Sequence, residues 1–191
     1  MIEPRLLKRL ETKKAHLDEL RPLPTAVINR LRDEILIEWI YNSNAIEGST
    51  ITLQETRLIL ETGLTVGGKS LREHFEVTNH KEAIQYVEDL VQNAEPITAF
   101  HVRQIHKLIL THIDNDNAGS YRKTQVRIAG ASFTPPESWQ ITSLMAEWSD
   151  WAASVERSMQ PVALAAQAHR RLVAIHPFVD GNGRTARLVM N

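Results

Sequence analysis

HPFVDGNGRTAR, residues 176–187, gathers a histidine, an aspartate, two glycines, an asparagine and two arginines into one window. Gly181 and Gly183 can take backbone angles closed to other residues. Alternating such angles turns successive N–H groups into a concave nest that favours anions. The following RTARLVM returns to a helical pattern. The nest therefore lies at a helix N-terminus, where free N–H groups and the dipole also attract phosphate. Arg184 and Arg187 share one helical face, and two guanidinium forks beside such a nest suit a polyphosphate. Asp180 sets a carboxylate where an anion is expected, which calls for a bridging cation; Mg²⁺ held by one carboxylate and phosphate oxygens meets that need. Asn182 either bonds phosphate or orients the loop. His176, with a reference pKa near ~6.5, can accept a hydroxyl proton at neutral pH. Pro177 and Phe178 stiffen and anchor the loop. Each residue alone has a structural reading, as a turn, an N-cap or a solvated face. No single structural role requires all of them together.

The segments on either side read as helices almost throughout. Residues 137–157 and 161–175 precede the motif as two helical stretches, and Trp139, Trp148 and Trp151 are expected along the first. Before them, YRKTQVRIAGASFTPP (121–136) places β-branched and aromatic residues around a small-residue turn, which predicts a β-hairpin. Arg122, Lys123 and Arg127 read as a solvated charged strand. Residues 98–112 form an amphipathic helix, and its His101, His106 and His112 lack metal-binding spacing, so they read as structural or exposed. Ser70 with Glu73, and Thr52 with Glu55, are spaced as capping boxes, and Gly63 closes the second of these helices. Residues 25–47 carry a long helical pattern through Val27, Leu31, Ile35 and Trp39, stopped at Gly48. Pro22 and Pro24 separate it from an amphipathic segment at 4–20 bearing Leu6, Leu10 and Leu17. The expectation is a mostly α protein with one β-hairpin: an N-terminal helical arm at 1–24 and a single domain at 25–191.

Composition narrows the classes. The chain is 42% hydrophobic, 24% charged and 6% aromatic, which fits a globular protein. A formal net charge of -1 gives no global pull toward nucleic acid or an anionic membrane, so anion binding must be local. The absence of cysteine removes thiolate chemistry and disulfides. No signal-peptide core is visible, and no stretch approaches the ~18 apolar residues of a membrane span. The reading is a soluble, cytoplasmic protein.

HPFVDGNGRTAR resembles the Fic family signature and departs from it at none of its defining positions. The likeness to the AMP-transferring branch extends from about residue 40 to the chain end. The resemblance implies a Fic-type helical domain in which the hairpin 121–136 is a flap that docks a target's main chain. It implies that His176 deprotonates a Ser, Thr or Tyr hydroxyl, which attacks the α-phosphate of ATP to give an AMP-modified protein and pyrophosphate. Asp180 would hold Mg²⁺. Gly181, Asn182, Gly183 and Arg184 would bind phosphates, and Arg187 would meet the γ-phosphate. Ile128, Ala129, Gly130 and Ala131 would line the nucleotide pocket. Self-modification and a homodimer are both compatible with this reading.

A second motif opposes the first. SNAIEG (43–48) resembles the family's inhibitory signature. Ser43 and Glu47 share a helical face, and Gly48 leaves Glu47 at the negative end of a helix of about 35–48. By resemblance, Glu47 pairs with Arg187 and denies it to the γ-phosphate; in some family members the equivalent acid instead orients a water that removes AMP. A surface acid at a frayed helix end is the plain alternative. The chain ends four residues after Arg187, so a fragment or a truncated domain is expected, with the adenine pocket incomplete. AMP removal, transfer of another phosphate-linked group, and a non-catalytic nucleotide-sensing or regulatory module remain the competing functions.

Overall fold

The computed structural model describes residues 3–128, 130–156 and 158–191. Thr52 and Ser70 start their helices as the spacing predicts. Each hydroxyl accepts the backbone N–H three residues on, and the glutamate there returns to the cap's own N–H. The chain runs α1 (Pro4–Glu19), α2 (Thr25–Ile46), α3 (Leu53–Thr62), α4 (Leu71–Gln92) and α5 (Ala99–Leu110). A 3₁₀ turn at Ser138–Gln140 then leads into α6 (Ile141–Val155), α7 (Pro161–Ile175) and α8 (Asn182–Met190).

Burial follows the amphipathic stripes and forms two apolar clusters. Ile40, Ile59, Val77, Ile84, Ile105, Ile109 and Leu188 fill the first, between α2, α3, α4, α5 and α8. Val102, Ile141, Met145, Trp148, Leu172, Phe178 and Ala186 fill the second, between α5, α6, α7 and α8. Helix α8 is the wedge between them, with Leu188 turned to one cluster and Ala186 to the other. Both residues are wholly buried, so small shifts of α8 would disturb close packing on two sides. That packing makes the start of α8 a rigid platform. Helix α1 contributes no buried residue.

The expected hairpin is not present: residues 121–136 contain no strand among the described residues. The physical reason lies in their donors. Pro135 and Pro136 remove N–H groups from the returning arm. Their carbonyls are taken by side chains instead, Pro135 O by Gln125 Nε2 at 2.9 Å and Pro136 O by Arg122 Nη2 at 2.5 Å. A tight turn remains, with Ala131 N–H donating to Ile128 O at 3.2 Å. Arg122, read as solvated, is 3% exposed and serves as the loop's internal bolt. Lys123 and Arg127 are exposed. Trp139 does not join Trp148 and Trp151 on α6; it sits in the 3₁₀ turn and is 78% exposed. No helix among the described residues is long and apolar enough to cross a membrane.

Candidate active site

Helix α7 ends where the motif begins. His176 is its C-cap and takes a left-handed conformation, φ 51°, which is unusual for a residue with a side chain. Its N–H donates to Leu172 O at 3.0 Å, and its carbonyl receives Arg122 Nε at 2.8 Å. The residue is therefore held from both sides of the peptide. Nδ1 of the ring is buried without a well-formed hydrogen bond. Burial lowers its pKa; the Arg122 guanidinium adds to this, while the Val173 carbonyl and Glu47 pull the other way. The shift favours the neutral ring, the form a general base needs.

The loop from 177 to 181 closes on itself. Asn182 Oδ1 accepts the Phe178 N–H at 3.0 Å and Asn182 Nδ2 donates to the Phe178 carbonyl at 2.9 Å. Of the two roles open to Asn182, its side chain performs loop orientation. Phe178 is fully buried and stacks on His106, ring centroids 3.6 Å apart and 4° from parallel. His106 Nδ1 accepts the Gly119 N–H, so Nε2 carries the proton and donates to the Asp180 carbonyl at 3.0 Å. Burial keeps this ring's pKa near about 4, against a smaller upward pull from Asp180.

Gly181 caps α8 with φ 73°, and no side chain caps the helix. Its first N–H groups are left pointing outward, as an anion site requires. A Cβ on Gly181 would meet the His106 ring at 3.3 Å. A Cβ on Gly183 would collide with the Glu47 carboxylate and approach Arg187 Nη1 to 3.0 Å. Glycine is needed there for close approach rather than for its angles.

The charged groups converge on this helix start. Arg184 is 2% exposed, with Nη1 3.3 Å from Glu76 Oε1 and Nη2 3.6 Å from Asp180 Oδ2. Its Nε and Nη1 make no hydrogen bond, an unusual cost for a buried guanidinium that phosphate oxygens would relieve. Asp180 Oδ1 accepts the Gly181 N–H at 2.6 Å and Oδ2 accepts Arg72 Nη2 at 2.7 Å. Burial opposes its ionisation, but that N–H, Arg184 and Arg72 together hold its pKa below the usual carboxylate value. An ionised carboxylate beside an anion cradle fits a divalent cation completed by phosphate oxygens. Among the described residues no cluster of His, Cys, Asp and Glu could hold a metal alone.

Arg187 is occupied. Its Nε donates to Ser43 Oγ at 2.9 Å, and its Nη2 to Ser43 O at 2.8 Å and Glu47 Oε1 at 2.6 Å. Ser43 is buried in the last turns of α2, Glu47 is the C-cap, and Gly48 follows with φ 94°. The two sequence motifs therefore meet on one arginine.

Glu47, Gly48, Arg72, Glu76, Asp180 and Arg184 line a polar cavity of about 240 Å³. Ile128, Gly130 and Ala131 do not line it, and Ala129 lies outside the described residues. Sequence reasoning missed Arg72, Glu76, His80 and Arg122. His80 is 1% exposed and faces Arg184 and Arg187; burial first, then those charges, press its pKa down to about 3. Only the i,i+4 spacing of Arg72 and Glu76 hinted at a pair, and nothing local pointed to Asp180 as their third member.

A profile of the Fic/DOC family matches residues 96–191. The whole chain aligns at 40% identity with the protein adenylyltransferase Fic of Nematostella vectensis, covering 44% of that protein. A Fic-domain-containing signalling protein from Bacteroides thetaiotaomicron superposes with a TM-score of 0.88 at 32% identity, over 95% of this chain and 70% of that one. Fic-1 from C. elegans superposes at 0.84 with 32% identity, over 98% of this chain and 57% of that one. The chain spans less than half the length of the curated relatives it matches. On the profile, the identity and the shared architecture, it belongs to the Fic/DOC family.

Proposed function

We propose that this chain carries the catalytic core of a protein adenylyltransferase, restrained by its own helix α2. The observation that carries the reading is His176, held at the end of α7 beside the uncapped start of α8, where buried Arg184 Nε and Nη1 make no hydrogen bond. In the reaction a target Ser, Thr or Tyr hydroxyl gives its proton to the His176 ring. The oxygen bonds to the α-phosphorus of ATP, the bond from that phosphorus to the bridging oxygen breaks, and pyrophosphate leaves. The N–H groups of Asn182 and Gly183 and the Arg184 fork orient the phosphates and balance charge in the transition state. Mg²⁺ on Asp180, when bound, neutralises charge on the transferred and leaving phosphates. Loop 121–136 is joined to the motif through Arg122, so a flexible target segment lying along it would reach His176. This docking, like self-modification, belongs to the proposal.

Arg187 would clamp the γ-phosphate, and the ion pair with Glu47 prevents that. Bidentate engagement by Ser43 and Glu47 leaves the fork little capacity for another anion. The relatives named adenylyltransferase support the activity. Intact-protein mass spectrometry after incubation with ATP and Mg²⁺, alone and with cell lysate, tests it. Glu47→Gly should yield AMP adducts, the wild type few, and Glu47→Gly with His176→Ala none. Absence of adducts from Glu47→Gly, despite retained ATP binding, would overturn the assignment.

A further inference from the structure

Both oxygens of Asp180 are already engaged. Oδ1 holds the Gly181 N–H, a bond that can persist when a carboxylate takes a second partner. Oδ2 holds Arg72, which comes from the first turn of α4 and lies outside the motif. The two arginines beside this carboxylate differ in freedom. The Arg184 side chain is 3% exposed, whereas that of Arg72 is 54% exposed. Arg72 also has a second partner within reach, Glu76 Oε1, at 3.2 Å from its Nε. An Arg72–Glu76 pair alone would be an ordinary helical ion pair. The cross-helix bond to the one carboxylate of the anion loop is not.

We propose that Arg72 is a positioning residue that stands in for the divalent cation on Asp180 until nucleotide arrives. A guanidinium nitrogen 2.7 Å from Oδ2 competes with a cation for that oxygen, because the two positive charges repel. Arg72 therefore holds the Asp180 carboxylate in place at the cavity, and it disfavours a bare cation there. It yields the carboxylate when phosphate oxygens complete the metal's coordination, and Glu76 then retains it. This inference rests on the reading that Asp180 holds the cation.

The test uses a non-hydrolysable fluorescent ATP analogue titrated onto the Glu47→Gly chain, once in Mg²⁺ and once in EDTA. The readout is the ratio of the two affinities. In Arg72→Met the competitor is gone and an uncompensated Asp180 repels metal-free nucleotide, so the ratio should rise about threefold or more. Arg72→Lys, which keeps the charge, should return it toward the starting value. A ratio unchanged while both affinities weaken equally would make Arg72 a plain phosphate contact and overturn the proposal, as would a fall. Asp180→Asn separates the two levels. It should collapse the ratio toward one with or without Arg72; a ratio retained in Asp180→Asn would remove the metal reading itself.

Discussion

Two neighbouring loops of this protein are built on opposite plans. Residues 176–181 are closed by bonds between near neighbours, Asn182 to both backbone groups of Phe178 and Asp180 to the next N–H, and are tied from outside by Arg122, His106 and Arg72. Residues 121–136 close across their two ends, through Gln125 to the Pro135 carbonyl and Arg122 to that of Pro136. Arg122 reaches from inside them to carbonyls at His176, Thr124 and Pro136, while the stretch from Gly130 to Thr134 is exposed. The first loop is a frame that keeps a strained histidine and a helix start in place. The second is a cover, pinned at its ends and open in the middle. The proposed transfer to flexible protein segments needs a fixed reaction centre and a conformable edge, and the two plans suit that proposal.

If one bolt holds the cover to the frame, its removal should damage both. Arg122→Met leaves three carbonyls without a charged donor and should cost about 4 kcal/mol. Urea unfolding measures this, and limited proteolysis should cut within 121–136 far faster. A change below about 1 kcal/mol would mean that the cover has other fastenings.

The frame can also be loosened by acid. His106 is held neutral, near about 4, whereas the unfolded chain would titrate it near ~6.5. The unfolded state therefore binds more protons between those values, and stability falls as pH drops through that window. By pH 5 the loss from this ring should be about 2 kcal/mol. Melting curves from pH 7.5 to 5 should show it, and a His106→Gln variant should show a shallower slope. His80, near about 3, contributes a slope of the same sign in both proteins. The Glu73 carboxylate is held down to about 2, chiefly by the Thr50 and Ser70 N–H groups. Its contribution is present above ~4.5 and does not confuse the comparison.

Smaller changes sharpen the contrast within the frame. Asn182→Ala leaves the Phe178 N–H and carbonyl unpaired in a buried site and should cost about 2 kcal/mol. The proposed AMP transfer should fall further than this stability loss explains if the loop orients His176. Gly181→Ala must accept φ 73° and a contact 3.3 Å from His106, at about 1–2 kcal/mol. Differential scanning calorimetry ranks the two.

These contrasts also explain what could be read from the chain alone. The frame was legible because its parts are close in sequence: two glycines, an asparagine and paired arginines within one helical start. The helices of the middle of the chain were legible for the same reason, since Thr52–Glu55 and Ser70–Glu73 are reciprocal bonds three residues apart. The cover was misread as a hairpin. Its β-branched residues suggested strands, but Arg122 and Gln125 take the carbonyls that a ladder would use. Trp139 was placed on α6 by spacing, yet the chain turns into that helix only at Ile141.

The sequence by itself determined the helical periods, the caps, the glycine-led start of α8 and the family, because these depend on local backbone angles and on residues within a turn or two of one another. It also marked Ser43 and Glu47 as belonging together. The resemblance also named Arg187 as the partner of Glu47; only the tertiary structure decided that Ser43 shares that arginine and that Asp180 meets Arg72. Packing α8 between two apolar clusters brings Arg187 onto the end of α2 and Asp180 onto Arg72 of α4. A pairing such as Asp180 with Arg72 is set by the burial of other residues, so no local pattern of the charged side chains records it.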